Sequence, residues 1–400
     1  MNISFDFNKY KFPNDWTKIK LKECLVLEER PIVMDDDIGY RLVTVKRNFG
    51  GIQERSVQKG KEILVKSQFV INEKDFVISK RQIAHGACGI VPKELDNSIV
   101  SNEYNVFTTK ENLNLNFFNY YVQLPFVKRY FYISSDGVHI EKLLFKTKDW
   151  LNRYIVIPSI SEQNKIVKII KDWDLAIEKQ EQLIEKKKEF KKGLMQRLLS
   201  GEVRFKEFTD EWRKLKLGDI LYEPVKEKVV NPSEYELITV KLHCNGVEKT
   251  GKFPNITENG RPYYFRNPGE LLIGRQNFHN GGIAIVPEGI KNNICSNAIS
   301  SFCAKDSINI DFVYYYLSRR DYYKKVEFLI GGTGQKEISK KEFNNLKISI
   351  PNYLEQCKIV DFLKTVDNEI ELLKKELEAL KLQKKGLMQR LLTGEVRVKV

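Results

Sequence analysis

The chain contains one passage twice. Residues Gly193 to Arg204, Gly-Leu-Met-Gln-Arg-Leu-Leu-Ser-Gly-Glu-Val-Arg, return as Gly386 to Arg397 with a single change, Ser200 to Thr393. Shorter matches keep the same order along both halves. Trp16-Thr17-Lys18-Ile19-Lys20-Leu21 is echoed by Trp212-Arg213-Lys214-Leu215-Lys216-Leu217, and Tyr40 to Lys46 by Tyr235 to Lys241. Gly89-Ile90-Val91-Pro92 matches Ala284-Ile285-Val286-Pro287, and Ile157-Pro158 with Glu162-Gln163 matches Ile350-Pro351 with Glu355-Gln356. A period near half of 400 residues is a duplicated domain with its tail, not a solenoid of short stacked repeats. With 42% hydrophobic residues there is apolar material for two cores, so neither half is expected to need the other to fold.

Each half changes character part-way. From about Trp16 to Ile157, and again from about Trp212 to Ile350, β-branched and aromatic runs such as Leu42-Val43-Thr44-Val45 and Glu270-Leu271-Leu272-Ile273 are punctuated by Gly, Pro and Asn, as in strands and turns. Late in each block, Phe117 to Val122 and Phe312 to Leu317 predict a short helix packed on the strands. After Pro158 and Pro351 the pattern becomes helical, with Ser159 and Glu162 suited to a helix start.

Alternating steps of four and three trace a seam through Ile166, Ile170, Trp173, Ile177, Ile184 and Leu194 in the first copy. The second copy carries Ile359, Leu363, Val366, Ile370, Leu373, Leu377, Leu380 and Leu387. A helix with one apolar stripe must bury it, and its twin is the expected partner rather than its own domain. From Ile359 to Leu391 the rod would span roughly 48 Å at 1.5 Å per residue, with Gly201 and Gly394 ending the two helices. The expectation is an α+β protein. Strand-rich domains at 1–157 and 201–350 are related by pseudo-two-fold duplication and alternate with two long antiparallel helices at 158–200 and 351–400.

The chemistry is notable for what it lacks. There is no Asn-Pro-Pro-aromatic tetrad of amino-methyltransferases, no GxGxxG after a strand, no HExxH and no GxSxG. Gly246-Val247-Glu248-Lys249-Thr250-Gly251-Lys252 has P-loop spacing, but Phe253 stands where a Mg²⁺-binding hydroxyl belongs, so it is expected to be a loop between strands. The six cysteines form no CxxC pair, and His243-Cys244, Cys295 and Cys303 are expected to be half-buried strand residues rather than metal ligands. No catalytic, metal or cofactor site is expected. The first residues lack a signal-peptide pattern and no apolar run reaches bilayer length, which predicts a cytoplasmic protein without a membrane partner.

A net charge of +14 favours an acidic partner, of which nucleic acid is the commonest. Lys46-Arg47, Lys80-Arg81-Gln82, Lys241 and Arg275-Gln276-Asn277 place long donors at the ends of predicted strands. Arg, Gln and Asn can pair with base edges, while Lys chiefly meets phosphate. The glycines around Thr333, Gln335 and Lys336 would let backbone approach a phosphate.

Together these residues resemble the specificity subunit of a type I restriction-modification system. The resemblance is carried by Trp212 to Asp219, Gly331 to Ile338, Ile350-Pro351 with Glu355-Gln356, and Gly386 to Gly394. The first copy departs at Lys22, where the second has Gly218, and at Ile133 to Gly137, which replaces the glycine-rich loop. The resemblance implies a non-catalytic subunit in which each domain reads half of a bipartite site on double-stranded DNA. It also implies two modification subunits that bring S-adenosylmethionine, and restriction or motor subunits that use ATP and Mg²⁺. Two other classes stay open on sequence alone: a coiled-coil adaptor that recruits proteins, and a fragment of a single-chain restriction-methylation enzyme.

Overall fold

The computed structural model describes residues 11–137, 143–225, 227–255, 261–327 and 337–399. The chain divides into two compact units, residues 1–180 with 376–400 and residues 181–375, so that each unit takes part of both long helices.

In the first unit, Leu25–Glu28, Tyr104–Thr109, Phe76–Ser79 and Cys88–Ile90 form a four-stranded antiparallel sheet in that order. A five-stranded sheet runs Pro31–Ile32, Gln68–Ile71, Ser98–Ser101, Gly39–Val45 and Ile52–Lys59. Thr17–Lys20 and Tyr154–Ile157 pair to bring the ends of the domain together. Three short helices, α1 (Leu115–Tyr121), α2 (Pro125–Ile133) and α3 (Thr147–Leu151), precede the long helix α4 (Ile160–Ser200). The core is aromatic. Trp150 of α3 is fully buried among Phe107, Phe118, Phe131 and Phe145, at ring centroid distances of 5.5, 6.3, 5.6 and 5.6 Å.

The second unit repeats this plan with shorter strands. Leu221–Tyr222, Ile299–Ala304, Leu271–Gly274 and Ile283–Ile285 form its four-stranded sheet, and Arg213–Lys216 pairs with Lys347–Ile350. Its helices are α5 (Leu217–Ile220), α6 (Ile310–Leu317), α7 (Arg320–Val326), α8 (Lys340–Asn345) and the long α9 (Tyr353–Leu392). Phe343 of α8 takes the place of Trp150 and stacks on Phe302 at 4.6 Å. The five-stranded sheet of the first unit is here two separate antiparallel pairs, Ile238–Val240 with Val247–Lys249 and Tyr263–Arg266 with Asn293–Ser296. The parallel pairing of Leu42 with Ile99 survives as a bridge between Leu237 and Ile294. The aromatic segments around Phe117 and Phe312 are α1 and α6, as their patterning predicts.

Both long helices start on a cap. Ser159 Oγ accepts from Glu162 N at 3.3 Å and Asn352 Oδ1 accepts from Glu355 N at 3.0 Å, satisfying backbone donors that the first turn leaves open. Gly201 and Gly394 follow the last turns at φ 76° and 75°, a conformation that favours glycine. Every seam position is turned away from solvent. Ile166, Ile170, Ile184, Ile359, Leu363, Val366 and Ile370 are buried, while Trp173, Ile177, Leu194, Leu373, Leu377, Leu380 and Leu387 are half-buried.

The helices run antiparallel. In the first unit Gln180 Nε2 donates to Glu376 Oε2 at 2.9 Å and Lys384 pairs with Asp174. In the second, Lys187 meets Glu369 at 2.7 Å and Lys191 meets Asp367 at 2.5 Å. The start of each rod serves its own domain instead: Ile166, Val167 and Ile170 lie in the first core, and Ile359, Val360 and Leu363 in the second. Both destinations considered for the seam are therefore used, by different stretches of it.

The duplicated block explains itself through its contacts. Leu391 and Leu392 belong to the core of the first unit, and Leu198 and Leu199 to that of the second. Arg397 then holds the buried Glu162 by two bonds of 2.8 and 2.9 Å, and Arg204 holds the buried Glu355 at 2.9 and 2.7 Å. Arg397 also grips Asp15 at 2.9 and 2.7 Å, and this hydrogen-bonded guanidinium lowers the Asp15 pKa. The neighbouring glutamines tie the helix to the domain. Gln163 accepts from Asn114 N at 2.8 Å and Gln356 from Asn309 N at 2.9 Å, and Asn114 and Asn309 are the N-caps of α1 and α6.

This overturns the expectation that neither half needs the other. A cut after residue 200 would leave the first core without Leu391, Leu392 and Arg397, and the second without Leu198 and Leu199.

Leu392→Ala, at a fully buried position, is expected to cost about 2–5 kcal/mol. Hydrogen exchange by mass spectrometry should show faster exchange in α1 and α2, far away in sequence, with the protection of α6 and α7 unchanged. Trp150→Ala should cost about 3–5 kcal/mol in chemical denaturation, because it empties the centre of the aromatic cluster.

Candidate nucleic-acid interface

The strand ends position the donors. Lys46-Arg47 follows directly on Gly39–Val45, Lys80-Arg81-Gln82 on Phe76–Ser79, Lys241 on Ile238–Val240, and Arg275-Gln276-Asn277 on Leu271–Gly274. In each unit the two loops so formed are docked on each other by backbone hydrogen bonds. Asn48 N donates to His85 O at 2.7 Å and Phe49 N to Gly86 O at 2.8 Å; His243 N donates to Asn280 O and Cys244 N to Gly281 O, both at 2.8 Å.

The geometry is demanding. Asn48, Phe49, His243 and Cys244 all hold φ between 55° and 57°, a left-handed conformation that costs an L-residue roughly 1–2 kcal/mol. The inter-loop hydrogen bonds offset it. Gly86 (φ 74°) and Gly281 (φ 71°) complete the arrangement, since a Cβ at these positions would lie 3.0 Å from the Phe49 ring and 3.1 Å from the His243 Cα. His243 and Cys244 are thus turn residues, not the strand residues the sequence suggests; Cys295 and Cys303 do lie on strands. All six cysteines are free, and burial pushes the Cys24 thiol up to about 12. The P-loop-like stretch is likewise more ordered than expected, because Val247–Lys249 is itself a strand between Gly246 and Gly251, at φ 84° and 68°.

Several of the predicted donors already hold a carboxylate. Arg81 binds Glu103 at 2.7 and 3.4 Å, Lys241 meets Glu248 at 3.0 Å, and Arg275 meets Glu337 at 3.1 Å. Glu103 raises the Arg81 pKa and Arg81 lowers that of Glu103. Pairs this exposed contribute about 0–1 kcal/mol, so the cations can turn toward a phosphate or base at little cost. Lys80 Nζ donates to Asn102 O at 2.6 Å. Gln82 Oε1 is buried with no hydrogen-bond partner among the described residues.

Thr333, Gln335 and Lys336 lie outside the described residues, but Ile338 N donates to Arg275 O at 3.1 Å, tying the segment just after them to the same loop. Sequence reasoning missed Glu103, Glu248 and Glu337 as partners of the donors, and missed the docking of the two loops. The one available signal was the glycine-containing segment that follows the same strand in both copies. Among the described residues, no group of His, Cys, Asp and Glu is arranged to hold a metal ion, and no helix is long and apolar enough to cross a membrane.

Two strand-rich domains with donor-rich loops, each built against a shared pair of helices, define a DNA-specificity architecture. The sequence model of the family described as "Type I restriction modification DNA specificity domain" matches residues 13–186 and again 209–382, and the chain belongs to that family. It is similar to the type I restriction enzyme MjaVIII specificity subunit of Methanocaldococcus jannaschii, with 26% identity over 97% of this chain and 95% of that protein. It is 31% identical to the putative MjaX specificity subunit of the same organism, over 61% of this chain and 60% of that one.

Solved structures agree on the fold. The HsdS subunit from Thermoanaerobacter tengcongensis superposes with a TM-score of 0.56 at 19% identity, covering 97% of this chain and 99% of that one. The type I S subunit from M. genitalium gives 0.53 at 16%, covering 96% and 98%. The chain is a non-catalytic specificity subunit of type I restriction-modification with two DNA specificity domains.

Gly281→Ala should destabilise the second unit by at least about 1–2 kcal/mol, because it combines a left-handed backbone with a close approach to His243. Urea denaturation measures it, and exchange of the His243 and Cys244 amides should accelerate in parallel.

Proposed function

We propose that each unit reads one half of a split, asymmetric site on double-stranded DNA through its pair of docked loops, and that the paired long helices set the length of the unread spacer. The observation that carries this reading is a shared frame with unlike tips. The backbone bonds of the two loops recur in both units, yet Arg47-Asn48-Phe49 stands against Leu242-His243-Cys244, and Ala84-His85 against His279-Asn280. Such a frame presents different side chains to base edges at equivalent positions, which is what reading two different half-sites requires.

The exposed charged faces of the helices would dock two modification subunits, whose bound S-adenosylmethionine methylates adenine. Restriction or motor subunits would supply ATP- and Mg²⁺-dependent work. Chemistry on a base inside a duplex requires that the base be flipped into an enzyme pocket, so positioning and discrimination fall to this chain.

Mapping methylated adenines in cells that carry this chain and its modification subunit should reveal a two-part sequence. Replacing residues 17–157 by the corresponding domain of another specificity subunit should change one part only. Methylation without a bipartite consensus would refute the reading. Removing one heptad from each long helix shortens the rods by about 10 Å, and should shorten the preferred spacer by about three base pairs.

A further inference from the structure

In the second unit, α4 and the α6–α7 corner enclose a cleft of about 560 Å³. Lys188, Lys191 and Lys192 line it from α4, and Arg319, Arg320 and Lys324 from the corner, against one carboxylate, Asp321. Two of these cations are engaged nearby, Lys191 with Asp367 at 2.5 Å and Lys188 with Glu185 at 2.6 Å, and Lys324 lies 3.7 Å from Glu327. Lys192, Arg319 and Arg320 have no carboxylate partner among the described residues. The Arg319 guanidinium lies 4.2 Å over the Tyr316 ring, and its buried Nε has no hydrogen-bond partner among the described residues. A half-buried guanidinium held over a ring, with no carboxylate partner among the described residues, is matched to a phosphate oxygen.

The cleft joins the candidate reading loops. Lys324 Nζ donates to Asn280 Oδ1 at 3.4 Å and the Cys244 thiol reaches Ser318 O at 3.9 Å, and Asn280 and Cys244 are the residues through which the two loops dock. The first unit departs here. Its helix side repeats the lysines as Lys381, Lys384 and Lys385, and Arg129 stands for Lys324, but Leu124 and Pro125 replace Arg319 and Arg320. A protein docking on both repeated helices would meet the same residues twice. This pair of arginines occurs once and belongs to the domain side.

We infer that this cleft binds the phosphate backbone of DNA next to the half-site read by the second unit, an anchor the first unit lacks. The inference rests on the proposed reading of DNA by the loops. Each neutralised phosphate releases counterions, so the contact is visible in the salt dependence of binding.

The test uses the complex of the full chain with its modification subunit. Affinity for a duplex carrying the methylated sequence, and for a scrambled duplex, is measured by fluorescence anisotropy across a salt series. The double variant Arg319→Gln/Arg320→Gln should lower the slope of log affinity against log salt by roughly 0.9 per lost contact, about 1.8 in all, on both duplexes and with the recognised sequence unchanged. Lys192→Gln, at an exposed helix position whose loss leaves the fold intact, should lower it by about 0.9, whereas Lys385→Gln in the first unit should not.

Unchanged slopes in both variants, with the unaltered complex still binding its own sequence tightly, would overturn the anchor while leaving the loop reading in place. Loss of the modification subunit from the complex with an unchanged slope would also overturn it, and would assign the cleft to an acidic protein surface. Failure of the unaltered complex to prefer its own sequence would instead strike the proposed function itself.

Discussion

The structure depends on an exchange of ends. The last turn of each long helix fills the other copy's domain with two leucines, and the arginine beyond it neutralises a glutamate buried at the start of the opposite helix. A buried carboxylate without a partner is costly, so each domain is complete only when the far end of the other repeat is in place. The glutamine next to each glutamate passes the constraint on, because its amide fixes the N-cap of the aromatic helix. That helix is then pinned by a second duplicated contact. The Tyr120 hydroxyl donates to Asp174 at 2.6 Å and Tyr315 to Asp367 at 2.7 Å, and each aspartate also receives a lysine from the opposing helix.

From this frame the paired loops follow. The aromatic helices pack near the strands whose ends carry the loops, and in the second unit Tyr314 Oη reaches Cys244 O at 3.5 Å. Rigidity at the base permits strain at the tip. Four left-handed residues are tolerated because their amides are held across the loop pair, leaving the side chains of Lys46, Gln276 and Asn277 outside the backbone network. The same backbone bonds thus hold unlike side chains in the two units.

Much of this was legible in the sequence, and the reasons differ from element to element. The long helices were readable because a seam of alternating four and three steps leaves a one-dimensional trace, and Lys191 and Lys384, which fall on the same spacing between its apolar residues, are among those that cross to the partner helix. The strand ends were readable because Val45, Ser79, Val240 and Gly274 each close an apolar run before a polar one. The docking of loop on loop was not, since it rests on backbone amides that carry no side-chain signature. Nor was the role of Arg204 and Arg397. Their exact repetition marked them, but only the fold shows that the partner of each lies more than a hundred residues away.

One consequence concerns synthesis. The first unit begins to form first, yet its interior is closed by Leu391, Leu392 and Arg397, which are made about 200 residues later. At about 5–20 residues per second, the roughly 200 residues in between take on the order of 10–40 s to emerge. Through that interval the aromatic helix of the first unit stands with an open flank and an unneutralised Glu162. The second unit, drawn from one unbroken stretch of chain, can settle before the one that began ahead of it.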